Sequence, residues 1–201
     1  MPAAPAPPPL ILASTSPYRR SLLGRLNLPF ICLDPGVEEH APSGAVPAEL
    51  AARLAAAKAQ AIAAHHPAAV VIGGDQVAEC DGAILGKPGT AERARAQLAA
   101  ASGRVVRFHT AVHLTRGELA LAHVDLTSVH FRRLEAAEIS RYVELDEPFD
   151  CAGSFRSEGL GSALLERIES ADPSALLGLP LIWLCAALRR AGLDALRPAA
   201  H

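Results

Sequence analysis

The sequence predicts an α/β fold in which a mixed, twisted sheet is flanked by helices. Three observations carry that expectation. Short apolar runs alternate with stretches of helical periodicity along most of the 201 residues, the pattern of strand–helix units. Two of the runs, Leu10-Ile11-Leu12-Ala13 and Val70-Val71-Ile72-Gly73, contain no polar residue, which implies strands covered on both faces. Two longer segments, Val105–Leu114 and Ala120–Phe131, alternate in period two about Arg116-Gly117, as an antiparallel pair does.

Taken in order, Met1–Pro9 is a Pro/Ala-rich segment that reads as a disordered or polyproline-like tail before one domain over 10–201. Leu10–Ala13 is the first strand. Pro17 sits where a helix can start, because its missing N–H is unpaired there anyway, and Tyr18–Leu26 continues that helix. Phe30–Leu33 is a second strand. Pro47–His65 is an alanine-rich helix with Leu50, Leu54, Ala57 and Ala61 on one stripe and Lys58 off it. Val70–Gly73 is the next buried strand, ending at Gly74-Asp75-Gln76. Asp81-Gly82 between Val77–Cys80 and Ala83–Leu85 is a two-residue hairpin signal. Thr90 is placed to cap a helix over Ala91–Ala101, closed by Ser102-Gly103. Glu135–Leu145 is amphipathic and helical. Cys151–Glu158 and Ala163–Ile168 read as strands around Gly159 and Gly161. Asp172-Pro173 opens a helical stretch that ends near Gly192.

Half of the residues are hydrophobic and only 4% aromatic, so the core is built from Ala, Leu, Val and Ile. A net charge of -2 gives no basic excess for wrapping a nucleic-acid polymer. The longest apolar run, Leu176–Leu188, is broken by Gly178 and Pro180 and is shorter than the ~20 residues needed to span a bilayer. Cys32, Cys80, Cys151 and Cys185 form no CxxC pair, which argues against a zinc site. They read as reduced thiols of a cytoplasmic protein, and Met1–Pro9 lacks the charged and apolar regions of a secretory signal. No P-loop GxxxxGK[ST], GxSxG elbow or HExxH pattern occurs.

The two apolar strands end in turns that carry chemistry. Ser14-Thr15-Ser16-Pro17-Tyr18-Arg19-Arg20 puts hydroxyls, a helix N-terminus and two guanidinium groups together, a cradle for phosphate. It reads equally as an ordinary cap with solvated arginines. Asp75, at the end of an apolar strand, suits a divalent cation or an attacking water; its alternative is a turn aspartate. Glu38 and Glu39 offer a second carboxylate, or a solvated loop. Lys58 and Lys87 are single cations, the latter in the constrained Gly86-Lys87-Pro88 loop. Glu158, in Gly153-Ser154-Phe155-Arg156-Ser157-Glu158-Gly159, could accept from the paired N1–H and N2 donors of guanine, or lie in a hairpin.

Together the segments Leu10–Arg20, Lys58-Ala59-Gln60, Ile72–Gln76, Gly86-Lys87-Pro88, Cys151–Glu158 and Gly178-Leu179-Pro180 closely resemble, in order and spacing, the Maf family of nucleoside triphosphate pyrophosphatases. The resemblance covers nearly all of Leu10–Leu196. It implies two lobes around a deep cleft, often a homodimer, and hydrolysis of a nucleoside triphosphate to the monophosphate and pyrophosphate with a divalent cation, Mg²⁺ or Mn²⁺. By position, Asp75 matches the family's proton acceptor. Ser14, Arg19, Arg20, Glu39, Lys58 and Lys87 match its phosphate- and metal-handling residues, with Glu39 and Asp75 at the metal. Tyr18, Gln76 and Glu158 resemble the base-specificity positions of the 7-methyl-GTP branch. There an electron-rich ring suits the cationic methylated base, and Tyr18 and Glu158 act as partners. The alternatives are a dTTP/UTP pyrophosphatase of the same family and a nucleotide-binding regulator of septum formation. Three positions depart from the branch pattern: Glu38 in place of Asp, Gly74 in place of Ser, and Tyr18 in place of Trp.

Overall fold

A computed structural model of the protein describes residues 7–42 and 44–197. Met1–Ala6, the greater part of the expected tail, lie outside the described residues. Pro9 is already tied to the sheet, its carbonyl accepting from the Val70 amide at 2.8 Å.

The elements run β1 (Leu10–Ala13), α1 (Pro17–Gly24), β2 (Ile31–Leu33), α2 (Pro47–Ala63), β3 (Val70–Cys80), β4 (Ala83–Leu85), α3 (Ala91–Ala101), β5 (Val105–Arg116), β6 (Leu119–Phe131), α4 (Ala136–Asp146), β7 (Leu165–Glu169) and α5 (Leu181–Arg190). One sheet of seven strands has the order β2-β1-β3-β5-β6-β7, with β4 also on β3. β1 is parallel to both β2 and β3, and every other pairing is antiparallel. The connections agree with the mixed sheet: α1 and α2 lie between the parallel strands, short turns join the antiparallel pairs β3-β4 and β5-β6, and longer connections that include α3 and α4 lead to the antiparallel pairs β3-β5 and β6-β7. Among the described residues no helix is long and apolar enough to cross a membrane.

The alternation of side chains explains where each layer sits. Even-numbered residues of β1 and β3 (Leu10, Leu12, Val70, Ile72) meet Val112 and Leu114 of β5 and are covered by α1 and α5 through Leu22, Leu23, Leu184 and Leu188. Further along the same face Ala78, Cys80, Val106, Phe108, Val129 and Phe131 form a second core under α3 and α4. Between the two cores the apolar alternation is interrupted at Gly74 and Gln76 of β3 and Thr110 of β5. That interruption separates the two cores on one face of a continuous sheet. The opposite face is covered by α2, whose Leu50, Ala51, Leu54, Ala55 and Ala59 lie against Val77, Ala111 and Val71.

Four expectations need correction. The strands expected over Val70–Gly73 and Val77–Cys80 are one continuous strand, because β5 pairs it from Val71 to Cys80; Asp75 is therefore a mid-strand carboxylate and not a turn residue. Lys58, expected off the apolar stripe of α2, is buried at 4% exposure: the buried face is Leu50, Ala51, Leu54, Ala55, Lys58 and Ala59, at spacings of four, and Ala57 and Ala61 fall at its margin. Cys151–Glu158 is no strand: Gly153 and Ser154 are left-handed at φ 68° and 57°, which turns the chain through a short 3-10 helix at Ala152–Ser154. Ala163–Ile168 is part 3-10 turn and part β7.

Candidate active site

The site opens in a gap along one edge of β3. On that edge Val70–Gly73 pair with β1 and Ala78–Cys80 pair with β4, so Gly74–Val77 have no strand beside them. β1 ends at Ala13, level with Gly73. Ser14 therefore leaves β1 where β3 continues alone. Here the parallel part of the sheet, in the order β2-β1-β3, has α1 (between β1 and β2) on one face and α2 (between β2 and β3) on the other, the usual place for a ligand in an open α/β sheet. The cleft has a volume of about 390 Å³ and is lined by Ser14–Arg19, Glu39, Lys58, Asp75, Gln76, Lys87, Cys151 and Glu158 among others. That size suits a small ligand.

The side facing α2 is charged. Lys58 Nζ donates to Asp75 Oδ1 at 2.6 Å and to Glu39 Oε1 at 2.5 Å. Lys58 and Asp75 are buried, whereas the Glu39 side chain is half exposed. Gly73 makes the arrangement possible: a Cβ there would lie 2.2 Å from the Ala55 carbonyl oxygen and 2.6 Å from the Ala59 nitrogen. The helix backbone rests directly on the strand, and Lys58, one residue before Ala59, is held over Asp75. Burial pushes the Asp75 carboxyl above its ordinary value, against the opposing pull of Lys58 and Arg19. Burial raises Glu39 as well, but the hydrogen bond from Lys58 and the charges of Lys58, Lys87 and Arg19 bring it below its ordinary value. Glu38 is exposed outside this group.

At the floor, Ser14 Oγ accepts from the Ser16 amide at 3.2 Å and Ser16 Oγ caps α1 by accepting from the Arg19 amide at 3.4 Å. The positive end of α1, with no acid in its first turn, opens on the cleft. Arg19 lies between two glycines. Its Nε donates to the Gly178 carbonyl at 3.1 Å, and a Cβ at Gly74 would come within 3.3 Å of that Nε. Burial lowers the Arg19 guanidinium from its ordinary value, opposed by the nearby Asp75 and Glu39. Arg20 is not brought into the cleft. One residue on, about 100° around the helix, it is exposed beside Ser21, Gly24 and Phe30 in a separate shallow hollow.

The other side carries the Gln76 amide and the Tyr18 ring, with Arg156, Asp150 and Glu158 around them. Gln76 points to the face opposite Asp75; its Nε2 donates to Thr110 Oγ1 at 2.9 Å and to the carbonyls of Ala175 and Leu176 at 3.2 and 3.1 Å. The Tyr18 hydroxyl accepts from Arg156 at 3.0 Å and donates to Asp150 at 3.4 Å, with Cys151 Sγ at 3.8 Å. Burial pushes the Cys151 thiol up to about 11. Glu158 is at the exposed rim, accepting from Ser157 Oγ at 3.0 Å. Tyr18 and Glu158 thus line one cleft, but the hydroxyl of Tyr18 is tied to Arg156 and Asp150 rather than to Glu158. Arg156, Asp150 and Thr110 escaped the sequence reading. Arg156 and Asp150 flank matched residues of Cys151–Glu158, a signal that was available; Thr110 acquires meaning only through its register with Gln76.

Among the described residues no three His, Cys, Asp or Glu side chains gather as a metal cage. Glu39 and Asp75 converge on one ammonium and each keeps an oxygen that accepts from no described residue. Two such carboxylates, with phosphate and water to complete the shell, are a donor set that fits Mg²⁺ or Mn²⁺.

Residues 9–191 match the family described as Maf-like protein. The chain belongs to the Maf family. Relatives of this Maf-family chain named "7-methyl-GTP pyrophosphatase" include one from Xanthomonas axonopodis pv. citri (strain 306), 57% identical over 185 residues, covering 92% of this chain and 97% of the relative. One from Bordetella pertussis (strain Tohama I) is 53% identical over 190 residues, 94% of this chain and 96% of the relative. One from Albidiferax ferrireducens is 52% identical over 189 residues, 93% and 95% of the two chains.

Proposed function

We propose that the protein is a cytoplasmic pyrophosphatase that hydrolyses 7-methyl-GTP to 7-methyl-GMP and pyrophosphate. The observation that carries the reading is the pairing, on two faces of one cleft, of a buried carboxylate locked to Lys58 with a base-reading side formed by Tyr18, Gln76 and Glu158. Support for the base comes from the relatives named for that activity. The four free thiols suit a reducing compartment.

In this mechanism the triphosphate lies along the Ser14–Ser16 turn, and the base reaches Tyr18 and Glu158. Asp75 orients a water molecule and takes its proton as the oxygen attacks the α-phosphorus. The bond from the α-phosphorus to the bridging oxygen breaks, and pyrophosphate leaves with that oxygen. Arg19, Lys58 and Lys87 balance the charge that develops on the phosphates. Arg20, outside the cleft, takes no part. A divalent cation held by Glu39 and Asp75 supplies further charge neutralisation when bound. An electron-rich Tyr18 ring favours the cationic methylated base.

The test is pyrophosphate release from 7-methyl-GTP, GTP, dTTP and UTP side by side, with Mg²⁺ or Mn²⁺. Fastest turnover of 7-methyl-GTP is expected, and Glu158→Gln is expected to slow the two guanine substrates more than the pyrimidines. Dominant dTTP or UTP hydrolysis moves the protein to the other branch. Binding of the nucleotides without release from any of them makes it a regulator.

A further inference from the structure

We infer that Thr110, a residue of the sheet interior that lines no part of the cleft, positions the Gln76 side chain so that its oxygen alone faces the ligand. Position 76 thereby becomes a fixed hydrogen-bond acceptor for the donor edge of a guanine base. The inference rests on the reading of the protein as a 7-methyl-GTP pyrophosphatase and assigns how that selectivity is held in place.

Gln76 and Thr110 are direct cross-strand partners on β3 and β5, so their side chains rise side by side on one face. Thr110 is fully buried at 0% exposure, and its one hydroxyl proton is used on the Ala175 carbonyl at 3.0 Å. Toward Gln76 it can therefore act only as an acceptor. The same end of the Gln76 amide also meets the carbonyls of Ala175 and Leu176. Three acceptors surround that end, two of them carbonyl oxygens that can never donate, so the atom there is the NH₂ group. Turning the amide over would set Oε1 against those oxygens and lose every bond. Oε1 is left on the cleft side, accepting from no described residue and not buried.

The consequence is chemical selectivity. Guanine presents N1–H and its exocyclic NH₂ as adjacent donors. Uracil and thymine present one N–H between two carbonyl oxygens. A fixed acceptor at Gln76, with the Glu158 carboxylate at the rim, complements two adjacent donors and opposes a carbonyl. Methylation at N7 places positive charge on the base and strengthens N1–H as a donor. If the amide were free to rotate, it would serve either edge. Thr110 and the two carbonyls of the 3-10 turn at Ala175–Leu177 remove that freedom.

The experiment compares Thr110→Val, which keeps the shape and removes the hydroxyl, with Thr110→Ser, which restores it. For Thr110→Val the ratio of kcat/KM on 7-methyl-GTP to that on UTP is expected to fall about 3- to 10-fold, the size of one net hydrogen bond. The fall is carried by KM, with kcat within about 2-fold, and Thr110→Ser returns the ratio toward wild type. A hydroxyl needed only for stability would lower turnover of both substrates in proportion to the folded fraction and leave the ratio unchanged. That result, or an unaltered ratio in Thr110→Val, overturns the inference. If Thr110→Val does not fold, NMR of the Gln76 side-chain amide decides. Wild type and Thr110→Ser are expected to show one rigid, exchange-protected NH₂, and a freely exchanging NH₂ in wild type overturns the inference. Failure of the underlying reading is separate: wild type would then prefer pyrimidines before any variant is made.

Discussion

Asp75 and Gln76 are neighbours on β3, yet they belong to sites built by different means. Asp75 faces α2 and is held by charge: one buried ammonium joins it to Glu39, and Arg19 acts on it from across the cleft. Gln76 faces the lobes and is held by neutral hydrogen bonds to a hydroxyl and two backbone carbonyls. The charged side gathers groups whose protonation can change during a reaction. The other side fixes the Gln76 amide by neutral groups alone, and its titratable groups, Tyr18, Asp150, Cys151 and Glu158, lie further out. On the proposed mechanism, the contrast teaches that proton transfer and base reading are separated by the pleat of a strand rather than by distance.

The largest expected effect breaks the charged side alone. Asp75→Asn is expected to cost about 10²- to 10⁴-fold in kcat, the usual contribution of a general base, with the preference among bases unchanged. The pH dependence follows from the sign of the shift. A folded-state value above the ordinary one means that Asp75 contributes its stability below the unfolded value and loses it as pH rises through the folded one. Burial therefore weighs against ionised Asp75 at neutral pH, while the charge and hydrogen bond of Lys58 work the other way. The reacting form is the ionised one, so the acid limb of kcat/KM is expected above the ordinary carboxylate range. A variant with wild-type turnover would remove Asp75 from the chemistry.

Next is Lys58→Met, which leaves Asp75 buried without its cation. A loss of about 3–5 kcal/mol is expected in denaturant unfolding at pH 7. It should shrink as pH falls and the carboxyls take protons, and the double variant with Asp75→Asn should recover much of it. Equal losses in single and double variants would show that Lys58 stabilises by packing alone. Gly73→Ala comes third. Its methyl group meets the backbone of α2, so a loss of about 1–3 kcal/mol is expected from the forced separation, together with lower kcat as Lys58 is carried away from Asp75. The 7-methyl-GTP to UTP ratio should not move, because the opposite face is untouched; a changed ratio would mean that the two sides are mechanically joined. The smallest effect probes the neutral side. With its thiol at about 11, Cys151 is expected to alkylate at pH 8 roughly 100-fold more slowly than a thiol at its ordinary value, read by mass spectrometry. Rapid labelling would show that Tyr18 and Asp150 do not enclose it as described.

Much of this was legible in the chain because it rests on local chemistry. Asp81-Gly82 turns the hairpin with both residues at positive φ, 51° and 83°, and Thr90 caps α3 through its side chain. Leu10–Ala13 is buried on both faces, as an apolar run without alternation implies. The convergence of Lys58, Glu39 and Asp75 was legible only through family resemblance, because nothing in an alanine-rich helix says which strand it will cover. What could not be read depends on neighbours remote in sequence. The extension of β3 past Asp75 is decided by β5, the division of labour between Arg19 and Arg20 by which side of α1 meets Gly74 and Gly178, and the significance of Thr110 by the pairing that sets it beside Gln76.

The strand that carries both sides also works as a ruler with a two-residue graduation. If the proposed roles hold, substitution at Gln76 is expected to retune which base is accepted without moving Asp75, and substitution at Asp75 to silence the chemistry without altering the opposite face. Insertion or deletion of a single residue upstream in β3 has no such freedom: it would exchange the two faces, turning the carboxylate toward the base and the amide toward α2.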